Sequence, residues 1–548
     1  MVPCVLFEDE HLLVVNKPAG LNTHASGPYA GEGIYEWLKH REPRWAALAI
    51  IHRLDKETSG VMVFSKTPLA NRSLTEQFTQ RAVGKEYVLI TDRRVSRKTL
   101  VVRGSIVRIG DRYAGRPAGQ GGEYAETWFR PADDAAVHQT LPLRSNAPGT
   151  LPCSVLTAEP KTGRTHQIRV QAAENGFPIL GDALYGGTAA PRVFLHAAEI
   201  RFKHPASGEQ VTFTAPALFD RDPRLLLRNA MIDAEATNCW RTAHGAADNR
   251  PGWYVDRLDD YLLLQTGAPL SDDQKSLLSR LLQATSARGA YHKRLDQQVR
   301  RVTPASASPR LVEGTPAAGP FIVRENGLSF ELSFEEGYSV GLFLDQRDNR
   351  RRLLAGHVGA GFSLPECQPA IGNRPFEVLN TFAYTCAFSV CAGKAGARTT
   401  SLDLSKKYLE WGRRNFLLNK LNPNQHDFIF GDAFDWLRRL GKKGRRFDLI
   451  LLDPPTFSTS KAGGTFRAEK DYGRLVAAAL PVLENEGTLF ASTNAAGLSP
   501  EAFLGAVHAA IRNGGRKVLR QHYVPQPPDF PITRSEPAYL KTVWLRIQ

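Results

Sequence analysis

The sequence predicts a multidomain chain, an α+β domain rich in antiparallel strands followed by a doubly wound α/β domain. Three observations predict it. At 548 residues the chain is too long for one ordinary core. Residues 1 to about 220 hold short apolar or alternating runs parted by turn clusters, with few long helical patterns. From Phe376 onward, strand patterns alternate with helical ones, as in a parallel sheet with helices on both faces.

In the first part the strand-like runs are Leu12-Leu13-Val14-Val15, Val61-Met62-Val63-Phe64, Tyr87-Val88-Leu89-Ile90 and Ile168-Arg169-Val170. The glycine-rich stretch from Gly110 to Gly122 reads as a loop. The strand pattern stops near Arg224, which places a boundary close to 225. Trp253–Leu258 with Tyr261–Leu264 reads as a hairpin. Asp272–Thr285 reads as an amphipathic helix, with Leu277, Leu278, Leu281 and Leu282 at helical spacing. Thr303 to Gly319, rich in Pro, Ala and Ser, reads as a loop. Further on, strands are expected at Glu377–Asn380, Thr399–Asp403, Phe428–Asp432 and Phe447–Asp453, with a helix over Lys406–Asn419.

The hydrophobic fraction of 42% and charged fraction of 23% are those of a globular protein. Lys plus Arg number 70 against 55 for Asp plus Glu, a net charge of +15 that suits a polyanionic partner, nucleic acid first. The six cysteines include no Cys-x-x-Cys pair, which argues against a structural zinc site and a disulfide framework. No apolar run approaches the roughly 20 residues of a membrane span, and the N-terminus does not read as a signal peptide. A cytoplasmic enzyme without a membrane partner is the expectation.

His52-Arg53-Leu54-Asp55 stands between two apolar runs, where a short loop leaves a rigid element. Alone, Arg-Leu-Asp reads as a surface ion pair. It follows Asp9-Glu10-His11-Leu12-Leu13-Val14-Val15-Asn16-Lys17-Pro18-Ala19-Gly20, however. It precedes Lys85-Glu86-Tyr87-Val88 and Thr162-Gly163-Arg164-Thr165-His166-Gln167-Ile168-Arg169-Val170, which runs into Gly181-Asp182. In that order the motifs resemble the RluA-type pseudouridine synthases over nearly the whole segment. The resemblance implies a pseudouridine synthase fold for residues 1–225 that needs no cofactor and no metal. It also implies that the helper domain usually preceding the catalytic domain is absent. Asp55 takes the catalytic position, Arg53 and Arg169 are the matching basic residues, and Tyr87 is the aromatic that stacks on the extruded base. Arg164 is assigned to RNA contact and His166 to hydrogen bonding. Attack by the carboxylate on the sugar and elimination assisted by its charge both remain open.

In the doubly wound part, ligands bind beyond the carboxyl ends of the strands, where Asn380, Asp403, Asp432 and Asp453 stand. Asp403 suits ribose hydroxyls and Asp432 an adenine amine, and a helix N-cap is the alternative role for each. Asp453-Pro454-Pro455-Thr456-Phe457-Ser458 resembles motif IV of class I S-adenosylmethionine methyltransferases. Together with Gly252-Trp253-Tyr254-Val255-Asp256-Arg257 and the run Gly341 to Arg350, it resembles the rRNA methyltransferases of the RlmI and RlmK type from about 230 to 548. That implies a central RNA-facing domain over 226–320 and a Rossmann-like methyltransferase fold over 321–548, with the synthase in place of an N-terminal PUA domain. S-adenosylmethionine is the implied cofactor, held by Asn380, Phe382, Tyr384, Asp403, Asp432, Asp453 and Arg347. Pro454, Pro455, Phe457 and Asn494 would contact the base. The family commonly has glycine where Cys386 stands, so that side chain is expected to point into the core.

Methylating cytosine C5 needs a cysteine thiolate to activate the ring carbon. The strand after motif IV, Ala491-Ser492-Thr493-Asn494-Ala495-Ala496-Gly497, has none. A ring nitrogen such as guanine N7 needs only positioning. The sequence therefore favours a bifunctional enzyme that makes pseudouridine and methylates a purine nitrogen, with large-subunit rRNA as partner and no role for DNA. The alternatives are a methyltransferase part that only binds RNA, or one acting on cytosine C5, a protein or a small molecule.

Overall fold

A computed structural model describes residues 2–96, 98–132, 153–295, 307–337, 339–359, 361–364, 374–460 and 464–548. The chain forms two compact units. One comprises 1–25, 33–38 and 47–233; the other comprises 234–548 together with the short stretches 26–32 and 39–46.

The first unit is built on an eleven-stranded sheet. Its main path runs Val5–Glu8, Leu12–Lys17, Ser59–Ser65, Leu195–Lys203, Gly84–Thr91, Ser154–Pro160, Glu123–Pro131, Leu100–Ile109, Arg112–Arg116. Neighbours are antiparallel except where Ser59–Ser65 meets Leu195–Lys203. Every residue of Ser59–Ser65 is buried, as a central strand covered on both faces requires. There a Cβ on Gly60 would collide with the Ala197 backbone, so only glycine lets the two strands approach. The stretch 110–122 departs from expectation. Arg112–Arg116 is a strand paired with Leu100–Ile109, joined through Gly110-Asp111 with Gly110 at φ 61°. Glycine and aspartate make a tight hairpin turn, and only 117–122 is loop. The polar outer face of this edge strand masked its pattern.

The second unit contains a five-stranded sheet in the order Cys239–His244, Trp253–Leu258, Tyr261–Thr266, Gly289–Arg294, Arg310–Gly314. The expected hairpin is present, turned at Asp259 with φ 57°. Helix Asp272–Thr285 opens on a capping box between Ser271 and Gln274 and buries Leu278 and Leu282. The expected loop over 303–319 is corrected in part. Arg310–Gly314 is an edge strand whose Leu311 and Val312 are exposed, which hides it from a search for apolar runs. Residues 303–306 lie outside the described residues.

The same unit carries a seven-stranded sheet in the order Asp427–Phe430, Arg398–Asp403, Glu377–Thr381, Phe447–Leu452, Leu483–Thr493, Lys541–Ile547, Val518–Val524. The first five are parallel, and Lys541–Ile547 runs antiparallel to both its neighbours. Leu449–Leu452 are fully buried, consistent with a continuous apolar run between two helical layers. The order reverses between the adjacent strands Glu377–Thr381 and Phe447–Leu452, so their carboxyl ends open the crevice in which such sheets bind ligands.

Candidate active sites

In the first unit a cavity of about 970 Å³ lies over Asp55, and Tyr87, His166 and Arg169 also line it. Asp55 sits on the loop entering strand Ser59–Ser65. Side chains of the preceding segment fix that loop by bonding to its backbone. Thr23 Oγ1 donates to the Leu54 carbonyl at 2.8 Å and accepts from the Leu54 N–H at 3.1 Å. Lys17 is fully buried, and its ammonium donates to the carbonyls of Pro18, Leu21 and Lys56 at 3.0, 2.7 and 3.3 Å. Burial pulls that ammonium down to about 7, against the opposing charges of Asp55 and Glu57.

Arg169 is the arginine that faces Asp55. Its Nε and Nη2 donate to Asp182 at 2.7 and 2.8 Å, a bidentate buried pair. Its Nη1 lies 3.6 Å from both Asp55 Oδ2 and Glu57 Oε2. Arg53, the other basic residue of the motif, is exposed on the cavity wall. His166 stands 3.9 Å from Asp55 through Nε2, and its Nδ1 lies 2.7 Å from the Tyr185 hydroxyl. Burial lowers its basicity, against the charge of Asp55. Burial and then the Asp55 charge raise the Tyr87 phenol. Arg53, Lys56, Arg81, Lys85, Lys161 and Arg164 give the cavity wall a positive balance suited to a phosphate backbone. Arg164 is tied to the rim by Glu123 at 2.8 Å and the Tyr124 carbonyl at 3.1 Å. The sequence reading did not assign Lys17, Asp182 or Tyr185. A buried lysine and an aspartate with no local partner gave no periodic signal, although both lie inside the motifs.

In the second unit a smaller cavity of about 60 Å³ is lined by Gly341, Phe343, Gln346, Asn380, Tyr384 and Asp453, with Phe382 and Arg350 beside them. Phe382, Tyr384 and Cys386 all adopt left-handed backbone, at φ 57°, 49° and 62°. Such conformations in non-glycine residues cost about 1–3 kcal/mol each and gather at binding loops. Several bonds hold this loop. Tyr384 N–H donates to Asp403 Oδ2 at 2.8 Å, Thr385 Oγ1 to the Gly341 carbonyl at 2.6 Å, and Asn380 Nδ2 to Ser389 Oγ at 2.9 Å. The Cys386 side chain does point into the core, where its sulfur would collide with any Cβ on Gly412.

The four acids and amides at the strand ends differ in their surroundings. Asp403 accepts from the N–H groups of Tyr384 and Ser405, both at 2.8 Å, and burial raises its carboxyl. Asp432 has the alternative role, capping helix Ala433–Lys442 through the Asp435 N–H at 3.1 Å. Asp453 is pushed up to about 6 by burial and accepts from Gln346 Nε2 at 3.2 Å. Arg347 corrects the sequence reading. It is buried and bound bidentately to Asp529 at 2.9 and 2.5 Å, and Gln346 and Arg350 line the cavity instead. In the helical turn that starts here, adjacent residues point to different faces, so a motif read as a string misassigned its neighbour. On the proposed base side, Thr456 Oγ1 donates to Asn494 Oδ1 at 2.8 Å, linking the loops after two adjacent strands. Pro454 is buried, Pro455 is exposed, and Arg467 lies 5.6 Å from the centre of the Phe457 ring.

Residues 255–546 match the model of the S-adenosylmethionine-dependent methyltransferases. The chain belongs to that family. Its other region, residues 11–174, matches the RNA pseudouridylate synthase model, so one chain joins an isomerase and a transferase. A ribosomal RNA large subunit methyltransferase of Deinococcus radiodurans is 32% identical over 321 residues, 57% of this chain and 73% of that protein. The ribosomal large subunit pseudouridine synthase C of Yersinia pestis is 35% identical over 229 residues, 39% of this chain and 66% of that one. The crystal structure of the methyltransferase SMU.776 complexed with SAH superposes with a TM-score of 0.51 at 26% identity, over 59% of this chain and 79% of that chain. The cofactor of the methyltransferase region is S-adenosylmethionine, which when bound supplies an electrophilic methyl group. The strained loop, the half-buried acid Asp453 and the aromatic wall of Phe343, Phe382 and Tyr384 fit a cationic amino acid joined to a nucleoside. Among the described residues, no helix is long and apolar enough to cross a membrane.

Proposed function

We propose that the chain isomerises a uridine and methylates a purine ring nitrogen, guanine N7 foremost, in large-subunit ribosomal RNA. The printed names of its relatives concern that RNA, and the net charge of +15 suits it. In the isomerisation Asp55 acts at the sugar–base junction. The N1–C1′ bond breaks, a C5–C1′ bond forms, C5 gives up its proton and N1 gains one. Arg169, 3.6 Å away, aims Asp55, and Tyr87 stacks on the base once it has left the helix. In the methylation Asp453 accepts from the cationic amino-acid end of the cofactor. Pro454, Pro455, Phe457 and Asn494 form the edge against which the base rests.

One observation carries the choice of nitrogen over carbon. Among the described residues no cysteine lines the methyltransferase cavity, and the two nearest in sequence to its loop, Cys386 and Cys391, are buried thiols pushed up to about 12. Such thiols do not supply the thiolate that carbon methylation needs. Cys367 lies outside the described residues. The test is mass mapping of nucleosides in ribosomal RNA from cells with and without the gene. Loss of one pseudouridine and one 7-methylguanosine is expected. Loss of a 5-methylcytidine instead would replace the nitrogen reading, and an unaltered large-subunit RNA would remove the substrate assignment.

A further inference from the structure

The run Gly341 to Arg350 marks the methyltransferase family, yet the chemistry above uses little of it. Two of its residues, Gln346 and Asn349, are nearly fully buried side-chain amides. Burying an amide demands that each end find a partner of the right sense.

The sense of every bond is fixed from the far end. The Trp544 indole N–H can only donate, and it lies 3.0 Å from Asn349 Oδ1. The Thr542 hydroxyl donates its hydrogen to the Val524 carbonyl at 2.7 Å, so towards Asn349 it offers a lone pair, 3.2 Å from Nδ2. Both neighbours demand the same orientation of the Asn349 amide. Its Nδ2 therefore also donates to Gln346 Oε1 at 2.8 Å. That leaves Gln346 Nε2 to donate to Ser492 Oγ at 2.8 Å and to Asp453 Oδ2 at 3.2 Å. Ser492 in turn bonds the Asp453 carboxyl. Turning over either amide would set oxygen against oxygen or N–H against N–H.

We propose that Trp544, Asn349 and Gln346 form a one-way hydrogen-bond relay, with Gln346 the positioning residue that presents the Asp453 carboxylate to the cationic end of the cofactor. The inference rests on the reading of Asp453 as a cofactor-binding acid. Three other titratable groups face Asp453: Asp345 disfavours its charge, Arg350 favours it, and the Tyr472 phenol, raised by burial and by Asp453 itself, stays neutral. None belongs to the relay. The relay therefore adds neutral donors to a half-buried acid that has both a like and an opposite charge nearby.

The experiment is calorimetric S-adenosylmethionine binding to the full chain across pH 5 to 9. Affinity should rise with pH as Asp453 ionises. Gln346→Glu sets a like charge against Asp453, and Gln346→Leu removes the donor. Each should move the midpoint of that rise upward, by about one pH unit or more for Gln346→Glu, the scale on which a neighbouring charge moves a carboxylate. At pH 7 a midpoint about one pH unit higher should lower the affinity about twofold, with recovery towards pH 9. Asn349→Leu should give a smaller upward shift and add nothing in the Gln346→Leu background, because it acts through Gln346. A residue that merely filled space would lower the unfolding temperature without moving the midpoint. Unchanged midpoints in both Gln346 variants would overturn the relay. Asp453→Asn is the control for the reading beneath it. If that variant kept both the affinity and its pH dependence, Asp453 itself would be misassigned and the relay would fall with it.

Discussion

Two aspartates, one in each unit, are held in opposite ways. Asp55 borders a cavity of about 970 Å³ and faces a guanidinium, Arg169 Nη1, 3.6 Å away. Asp453 borders a cavity of about 60 Å³ and is held by an amide and a hydroxyl. Asp55 meets a cation at close range, whereas the hydrogen bonds to Asp453 come from neutral donors and Arg350 acts on it only through its field. The difference follows the partner each acid is proposed to meet. A carboxylate that must meet a neutral uridine needs its own counter-ion. One that waits for a cationic ligand leaves that place open.

The sharpest way to break this comparison is Asp55→Asn. Pseudouridine formation should fall by at least about a thousandfold, the scale of losing a reacting group, with RNA binding and methyl transfer little changed. Near-normal tritium release from labelled uridine would remove Asp55 from the reaction. Asp182→Asn tests whether Arg169 needs its anchor. Weakening a buried bidentate pair should cost about 3 kcal/mol in thermal or denaturant unfolding and lower isomerase turnover, with cofactor binding unchanged. An undiminished stability and rate would mean that Asp55 and Glu57 suffice to hold Arg169.

Asp453→Asn sharpens the other half. Burial pushes the Asp453 carboxyl up to about 6 from an ordinary 3.8, so the fold binds its proton more tightly than the unfolded chain does. Its contribution to apo-protein stability is greatest below pH 3.8 and is lost as pH rises through 6. The asparagine variant has no charge to bury, so at pH 8 it should be more stable than the parent by about 2–3 kcal/mol, with the difference vanishing near pH 4. A variant no more stable at pH 8 would show that the acid is not strained by burial. Asp403→Ala should weaken S-adenosylmethionine by about 1–3 kcal/mol in calorimetry and leave pseudouridine formation unaltered, since the loop bond to Tyr384 goes with the carboxylate. The smallest effect is expected from Cys386→Ala with Cys391→Ala. Methyl transfer should persist with some loss of stability from the two vacated core positions. A covalent, methyl-dependent adduct with 5-fluorocytidine RNA would overturn the nitrogen reading.

Local signals survived in some segments where a residue's role is set by its neighbours in the chain. Helix Asp272–Thr285 ends where its periodicity ends, and hairpin Trp253–Thr266 turns where its apolar runs part. Ile168-Arg169-Val170, read as strand, instead lies in helix Gln167–Glu174, whose residues 167–172 are all buried and so show no amphipathic period. The edge strands Arg112–Arg116 and Arg310–Gly314 were read as loops, because an edge strand with a polar or exposed face shows little apolar patterning.

The sequence by itself determined the two families, the alternation that makes the parallel sheet, and the placing of Asp55 on a loop between two apolar runs and of Asp453 at the end of a strand, because each rests on short motifs or on periodicity. Only the tertiary structure decided which arginine faces Asp55, that Arg347 binds Asp529 rather than a ligand, that Asp432 caps a helix, and that the Gln346 amide is aimed from Trp544. Each of those is a contact between segments distant in the chain or a matter of which way a side chain turns. The direction of a side chain out of a fold leaves no trace in the order of residues along it.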